Sequence, residues 1–184
     1  MKDFILGDCM DYLPGFEDNY FDLAIVDPPY GIGANKMTLG NGKNKIYRGV
    51  NDWDNKTPGK GYFFELFRTS KEVIIWGANN MTPYLPPSSS WIYWDKGTGK
   101  NDYSDGELAF YSRGGALRSI RISWVGANAK DGLYKERIHP TQKPIQLYKW
   151  LLRNYAQSHF KVLSTHVGSA SDLIAFEDFG CEYV

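Results

Sequence analysis

The sequence predicts an α/β fold with an open sheet in a single domain. Three observations predict it: short apolar, β-branched runs of strand length, amphipathic stretches of helix length between them, and a closing order of strand, glycine-containing turn, helix and strand. At 184 residues and 42% apolar content the chain is long enough for one substantial core.

Taken in order, Phe4-Ile5-Leu6 reads as a short strand stopping at Gly7-Asp8, and Cys9 to Leu13 as one or two helical turns broken by Pro14-Gly15. Phe21 to Val26 is an apolar run bounded by prolines, which predicts a buried strand. It ends in Asp27-Pro28-Pro29-Tyr30. Two consecutive prolines lack an N–H and have a fixed φ, so the chain leaves the sheet in a stiff conformation with an acid before it and an aromatic ring behind it. Open α/β sheets place their ligands at such strand ends. The plainer reading is a strand terminator in which Asp27 caps the succeeding turn.

A loop rich in Gly, Asn and Lys runs from residue 31 to about 60, a length that is usually functional or mobile. Residues 61–69 carry Phe63, Phe64, Leu66 and Phe67 on one helical face. Residues 72–76, 91–94 and 107–111 read as strands, and residues 118–124 alternate with period two, as a half-exposed strand does. His139-Pro140-Thr141-Gln142-Lys143-Pro144 is a turn into a helix, with Pro144 at its first position and an apolar stripe of Ile145, Leu147, Tyr148, Leu151 and Leu152. Thr141 and Gln142 serve either as helix caps or as ligand contacts. Residues 160–163 form the next strand, residues 164–171 a small-residue turn, residues 172–179 a helix ended by Gly180, and Cys181 begins a last strand.

The net formal charge is zero, so no global field announces a polyanionic partner. Charge is nevertheless uneven. Residues 34–60 hold six basic groups (Lys36, Lys43, Lys45, Arg48, Lys56, Lys60) against Asp52 and Asp54. Residues 113–137 hold six (Arg113, Arg118, Arg121, Lys130, Lys135, Arg137) against Asp131 and Glu136. Two loops of net +4 on an acidic body suit a phosphate backbone, or are simply solvated. Cys9 and Cys181 are distant and make no metal-ligand spacing with His139, His159 or His166, so no metal is assigned and a reducing cytoplasm is the economical expectation. No leader-like or membrane-spanning apolar run is present in the sequence.

Taken together, these pieces resemble the DNA amino-methyltransferases of the beta arrangement, in which the catalytic Asp-Pro-Pro-Tyr precedes the cofactor-binding turn. The resemblance runs through Gly7-Asp8-Cys9, Asp27-Pro28-Pro29-Tyr30-Gly31, Trp91-Ile92-Tyr93-Trp94-Asp95-Lys96, Asp105-Gly106-Glu107-Leu108-Ala109, His139-Pro140-Thr141-Gln142-Lys143-Pro144 and Thr165-His166-Val167-Gly168-Ser169. It is most similar to compact phage-type or restriction-modification-type members without a separate recognition domain. The resemblance implies a Rossmann-like, S-adenosylmethionine-dependent methyltransferase fold with circularly permuted motif order. One methyltransferase domain would span residues 1–184, with residues 31–60 and 96–137 as DNA-recognition insertions.

The implied reaction is methyl transfer to the exocyclic N6 amine of adenine in double-stranded DNA. N4 of cytosine is the lesser option, and a catalytically silent relative that keeps the fold is the alternative. An exocyclic amine is a poor nucleophile because its lone pair is delocalised into the ring, and accepting its N–H groups would localise that pair. By resemblance the Asp27 carboxylate and the Pro28 carbonyl, in the set Asp27, Pro28, Pro29 and Tyr30, are the acceptors, while Tyr30 stacks on the extruded base. Asp8 would meet the cofactor's adenine end, although it also suits a helix cap. Asp27, Ser164, Thr165, His166, Gly168, Ser169 and Ser171, with Thr141, Gln142 and Lys143, would surround the methionine end. Lys36, Lys43, Lys45, Arg48, Arg113, Arg118 and Arg121 would hold DNA, with Trp124 or Tyr134 as a wedge or, more readily, as core. A second copy of the chain would help to embrace a duplex.

Three departures bear on the cofactor half. Ser164 stands where the family usually carries an acid facing the methionine ammonium, and Ala170 where a second glycine is usual. The chain ends at Val184, before the acid that would hold the ribose hydroxyls. One missing charge-assisted hydrogen bond costs about 1.5–3 kcal/mol, roughly ten- to hundredfold in affinity. The whole reading requires residues 27–30 and 164–171 to face each other across one crevice at the same rim of one sheet.

Overall fold

The computed structural model describes residues 2–34, 52–98, 104–124 and 141–184. The strands are β1 (Phe21–Val26), β2 (Ser70–Trp76), β3 (Trp91–Asp95), β4 (Gly106–Tyr111), β5 (Arg118–Arg121), β6 (Lys161–Leu163) and β7 (Glu182–Tyr183). The α-helices are α1 (Cys9–Tyr12), α2 (Lys60–Thr69), α3 (Ile145–Tyr155) and α4 (Ser171–Phe179). All seven strands join one sheet in the order β5-β3-β4-β2-β1-β6-β7. Every neighbouring pair is parallel except those made by β4, which runs antiparallel to both β2 and β3.

The central strands carry continuous apolar runs, over residues 23–26, 73–76 and 108–111, because both faces are covered there. Leu23, Ile25, Ile74, Trp76 and Ala109 pack with Leu147, Tyr148, Leu151, Leu152 and Phe176 of α3 and α4. Their sequence neighbours Ala24, Val26, Val73, Ile75 and Phe110 point the other way and pack with Tyr62, Phe63 and Leu66 of α2. The pleat sends alternate residues to opposite layers, so each run feeds both cores. Helix α4 stops at Gly180, whose φ of +81° lets its N–H reach the carbonyls of Phe176 and Glu177. None of the described helices is long and apolar enough to cross a membrane.

Two expectations fail here. Phe4-Ile5-Leu6 is not a strand: Lys2 meets Tyr183 through a single bridge, no described strand pairs with residues 4–6, and Leu6 is 91% exposed. The strand expected over residues 118–124 ends at Arg121, because its partner β3 ends at Asp95. Single bonds from Ile122 N to Asp95 O and from Trp124 N to Lys96 O carry the chain on, and Trp124 is buried in the core with its indole N–H on the Gln142 carbonyl. Tyr134, and most of the loop over residues 31–60, lie outside the described residues.

The contrast gives a test. Leu151→Ala should cost about 2–5 kcal/mol in urea unfolding, as full burial requires, whereas Leu6→Ala should stay within about 0.5 kcal/mol. A large loss at Leu6 would restore the strand at residues 4–6.

Candidate active site

Parallel pairing of β1 with β6, in the register Leu23↔Val162 and Ala24↔Leu163, brings the C-terminal ends of both strands out at one rim. Residues 27–30 and 164–171 are therefore neighbours. Between them lies a cavity of about 250 Å³. Asp27, Pro29 and Trp53 form one wall and His166, Val167, Gly168, Ser169 and Ser171 another, while Thr141, Gln142, Lys143 and Tyr148 close it from the start of α3. A smaller hollow beside it shares Val167 and is lined by Gly7, Cys9, Ser164, Thr165 and Val184.

Lys143 organises the charge. Its side chain is 2% exposed, and its ammonium lies 2.6 Å from Asp27 Oδ2, 3.2 Å from Glu107 Oε2 and 2.9 Å from the Tyr30 hydroxyl. Tyr30 in turn donates to Asp27 Oδ1 at 2.7 Å and lies 3.1 Å from Glu107 Oε2. Lys96 closes the chain at 2.7 Å from Glu107 Oε1. Two carboxylates thus face two ammoniums, the condition under which buried charge is tolerated. Burial works against the Lys143 charge, but Asp27 and Glu107 outweigh it and hold its pKa above the ordinary value. Burial likewise works against the Glu107 charge, yet Lys143 and Lys96 pull its carboxyl down to about 2. The Tyr30 phenol is pushed well above its usual range, first by burial and then by Asp27 and Glu107, so it stays a donor.

The corner is fixed from outside. Asp54, 1% exposed, accepts the N–H groups of Tyr30 (2.7 Å) and Gly31 (2.9 Å) on Oδ1 and that of Ala34 (2.7 Å) on Oδ2. Beneath the Tyr30 ring sits Gly77, at φ +64°, where a Cβ would fall 2.1 Å from a ring carbon. Only glycine satisfies both that backbone and that contact. Consequently Tyr30 stands off the cavity wall, and both Asp27 oxygens are already engaged.

On the facing turn, Gly168 has φ +53° and open space where a Cβ would be, so the turn is accessible from the cavity. Ala170 also adopts a left-handed φ of +58°, the conformation a glycine would hold without strain. Thr165 Oγ1 bonds the Tyr62 hydroxyl at 2.7 Å and His166 Nδ1 at 2.8 Å, and burial pushes the imidazole down to about 4. Ser164 donates to Asp172 Oδ2 at 2.5 Å.

Of the other expected site residues, Asp8 caps α1 by accepting from Met10 N at 2.9 Å and stands outside the cavity lining. Thr141 and Gln142 do not cap α3, whose N-cap is Pro144 with no side-chain bond. The three expected DNA-binding arginines that are described do not form one face. Sheet register puts Arg121, paired with Asp95 at 3.0 Å, at the cavity rim. Arg113, on Glu72 at 2.9 Å, stands at the opposite rim, where β2 begins, and Arg118 lies toward that side on β5. Lys36, Lys43, Lys45 and Arg48 lie outside the described residues, as does His139. Sequence reasoning missed Trp53, Asp54, Lys96, Glu107, Tyr148 and Asp172 as site residues. Only Lys96 and Glu107 carried a signal, inside the motif stretches that bear the resemblance. Among the described residues no cluster of three or more His, Cys, Asp or Glu side chains could hold a metal.

The depressed Glu107 carboxyl contributes stability that is complete above its unfolded pKa of about 4.5 and lost as pH falls through about 2. Glu107→Gln should therefore cost about 3 kcal/mol at pH 7 and flatten the acid side of the stability curve, measured by urea unfolding between pH 7 and 3. Ala170→Gly should raise stability by about 0.5–1 kcal/mol by the same measurement.

No family model matches the chain. A sequence relative is the Type II methyltransferase M2.MboI of Moraxella bovis, 25% identical over an alignment of 215 positions that covers 92% of this chain and 76% of that protein. Solved structures of like shape include the M1.HpyAVI–SAM complex, 13% identical with TM-score 0.60, covering 100% of this chain and 91% of that one. The Thermus thermophilus protein TTHA0409 complexed with S-adenosyl-L-methionine is 19% identical with TM-score 0.57, over 96% of this chain and 85% of that one. The cytosine-N4-specific PvuII DNA methyltransferase is 13% identical with TM-score 0.55, over 96% and 78%. The chain has the Rossmann-like α/β fold of the S-adenosylmethionine-dependent DNA methyltransferases.

Proposed function

We propose that this chain is a DNA methyltransferase that uses S-adenosylmethionine and acts on the exocyclic N6 amine of adenine in double-stranded DNA. The observation that carries the proposal is the juxtaposition of the residue 27–30 corner and the residue 164–171 turn across one cavity. The relative and the structural neighbours, which include SAM complexes, support the cofactor and the reaction class.

The cavity and the adjoining hollow meet at Val167 and together make an elongated cleft around the turn. The open Gly168 and the serine hydroxyls of the turn, with Ser164 in the adjoining part of the hollow, suit the methionine end, while Gly7, Cys9 and Val184 border the end suited to the adenosine. When bound, the cofactor supplies an electrophilic sulfonium methyl. The protein's part is to accept and orient. Asp27 Oδ1, now holding the Tyr30 hydroxyl, is the acceptor the amine would take over, with Lys143 keeping Oδ2 and hence the carboxylate plane in place. Tyr30, still held by Glu107 and Lys143, would have to turn from its seat over Gly77 to stack on the base, whereas Trp53 on the cavity wall already offers an aromatic face.

The test is direct. The chain is incubated with S-adenosylmethionine and duplex DNA, and the DNA is digested to nucleosides for mass spectrometry. N6-methyladenine is the expected product, N4-methylcytosine would move the target to cytosine, and no methylated base would overturn the proposal. Asp27→Asn should lower methyl transfer by about a hundredfold or more while cofactor affinity in calorimetry stays within a few fold. Cofactor binding without transfer would fit the silent relative, a reading favoured by the engagement of both Asp27 oxygens. For DNA, Arg121→Ala should reduce the salt slope of binding by about one, whereas Arg113→Ala, at the far rim, should leave it unchanged.

A further inference from the structure

One buried acid behind this cleft has no counter-charge among the described residues. Asp172, 3% exposed in the first turn of α4, accepts from the Ser164 hydroxyl at 2.5 Å and from Leu173 N at 2.9 Å. Among the described residues no cation pairs with it. Asp27 and Glu107 are matched by Lys143 and Lys96, and buried Asp54 accepts three backbone amides. Asp172 therefore leaves one unbalanced negative charge beside the cavity-lining Ser171. Burial pushes its carboxyl up to about 6 against the pull of Ser164 and the neighbouring amides, with the Asp27 charge adding to the rise. A buried carboxylate so placed is stabilised by a cation supplied from the cleft.

Resting on the cofactor reading above, we propose that Asp172, acting through the Ser164 hydroxyl, holds the ammonium group of bound S-adenosylmethionine. Ser164 is itself 8% exposed and lines the smaller hollow. Its proton is committed to Asp172, so its lone pairs are left to accept from the ligand, polarised by the carboxylate behind them. The charge that Ser164 lacks at the end of β6 is thus returned from α4 across one hydrogen bond. Asp172 is a positioning residue in this scheme.

Calorimetric titration of the full chain compares two probes: S-adenosylmethionine, and 5′-methylthioadenosine, which lacks the amino-acid end. Asp172→Asn, and independently Ser164→Ala, should weaken the first by about ten- to hundredfold and leave the second within about twofold. The exchange Ser164→Asp with Asp172→Ser, which keeps the same groups in swapped places, should restore most of the loss. Equal weakening of both probes, or of neither, in folded Ser164→Ala would overturn the assignment while leaving the cofactor reading intact. A wild-type chain that binds neither probe would overturn the cofactor reading and this assignment together.

Discussion

The Lys143 ammonium, sealed from solvent at the rim of the sheet, is the constraint to which the rest of the site answers. An unpaired charge there would be untenable, so two carboxylates must come within reach of it, and they come from widely separated parts of the chain. Asp27 arrives from the end of β1 and Glu107 from the start of β4, and the Tyr30 phenol bridges them. The Tyr30 and Trp76 rings lie 5.3 and 5.7 Å from the ammonium and add quadrupole attraction. A pre-set acceptor is the result: Asp27 is oriented before any substrate is present.

Rigidity at the acceptor and openness at the facing turn are complementary. Asp54, by gathering three backbone amides, fixes the path of the chain after the second proline. The turn before α4 is built instead of serines, Gly168 and a strained Ala170, with few bonds of its own. Fixed charge on one wall and an adaptable backbone on the other suit the proposed function, in which the cleft holds one molecule and positions another.

Much of this was legible in the residues. The apolar runs over residues 23–26 in β1, 73–76 in β2 and 162–163 in β6 are unambiguous because two-sided burial leaves no polar position within them to confuse the period, and Gly180 marks the end of α4 by its backbone alone. Phe4-Ile5-Leu6 is equally apolar, yet whether a run becomes a strand depends on a neighbour with backbone to share, and no described strand pairs with it beyond the Lys2–Tyr183 bridge. The corner and the turn were readable as motifs. Glu107, Asp54 and Asp172 were not assigned roles, since their importance is relational: it lies in an ammonium 36 positions away, in amides 20 to 24 positions back, and in a serine hydroxyl eight positions earlier. No local pattern encodes such distances.

The reversed direction of β4 has a consequence for folding itself. Because that strand alone runs against its neighbours, it delivers Glu107 to the rim from its beginning, locked by Trp94↔Glu107 on one side and Trp76↔Ala109 on the other. A slip of one residue would turn Glu107 to the opposite layer and strand the lysine without its second counter-ion. The ionic cluster therefore acts as a proofreader of strand alignment, penalising misthreaded sheets that hydrophobic packing alone would tolerate.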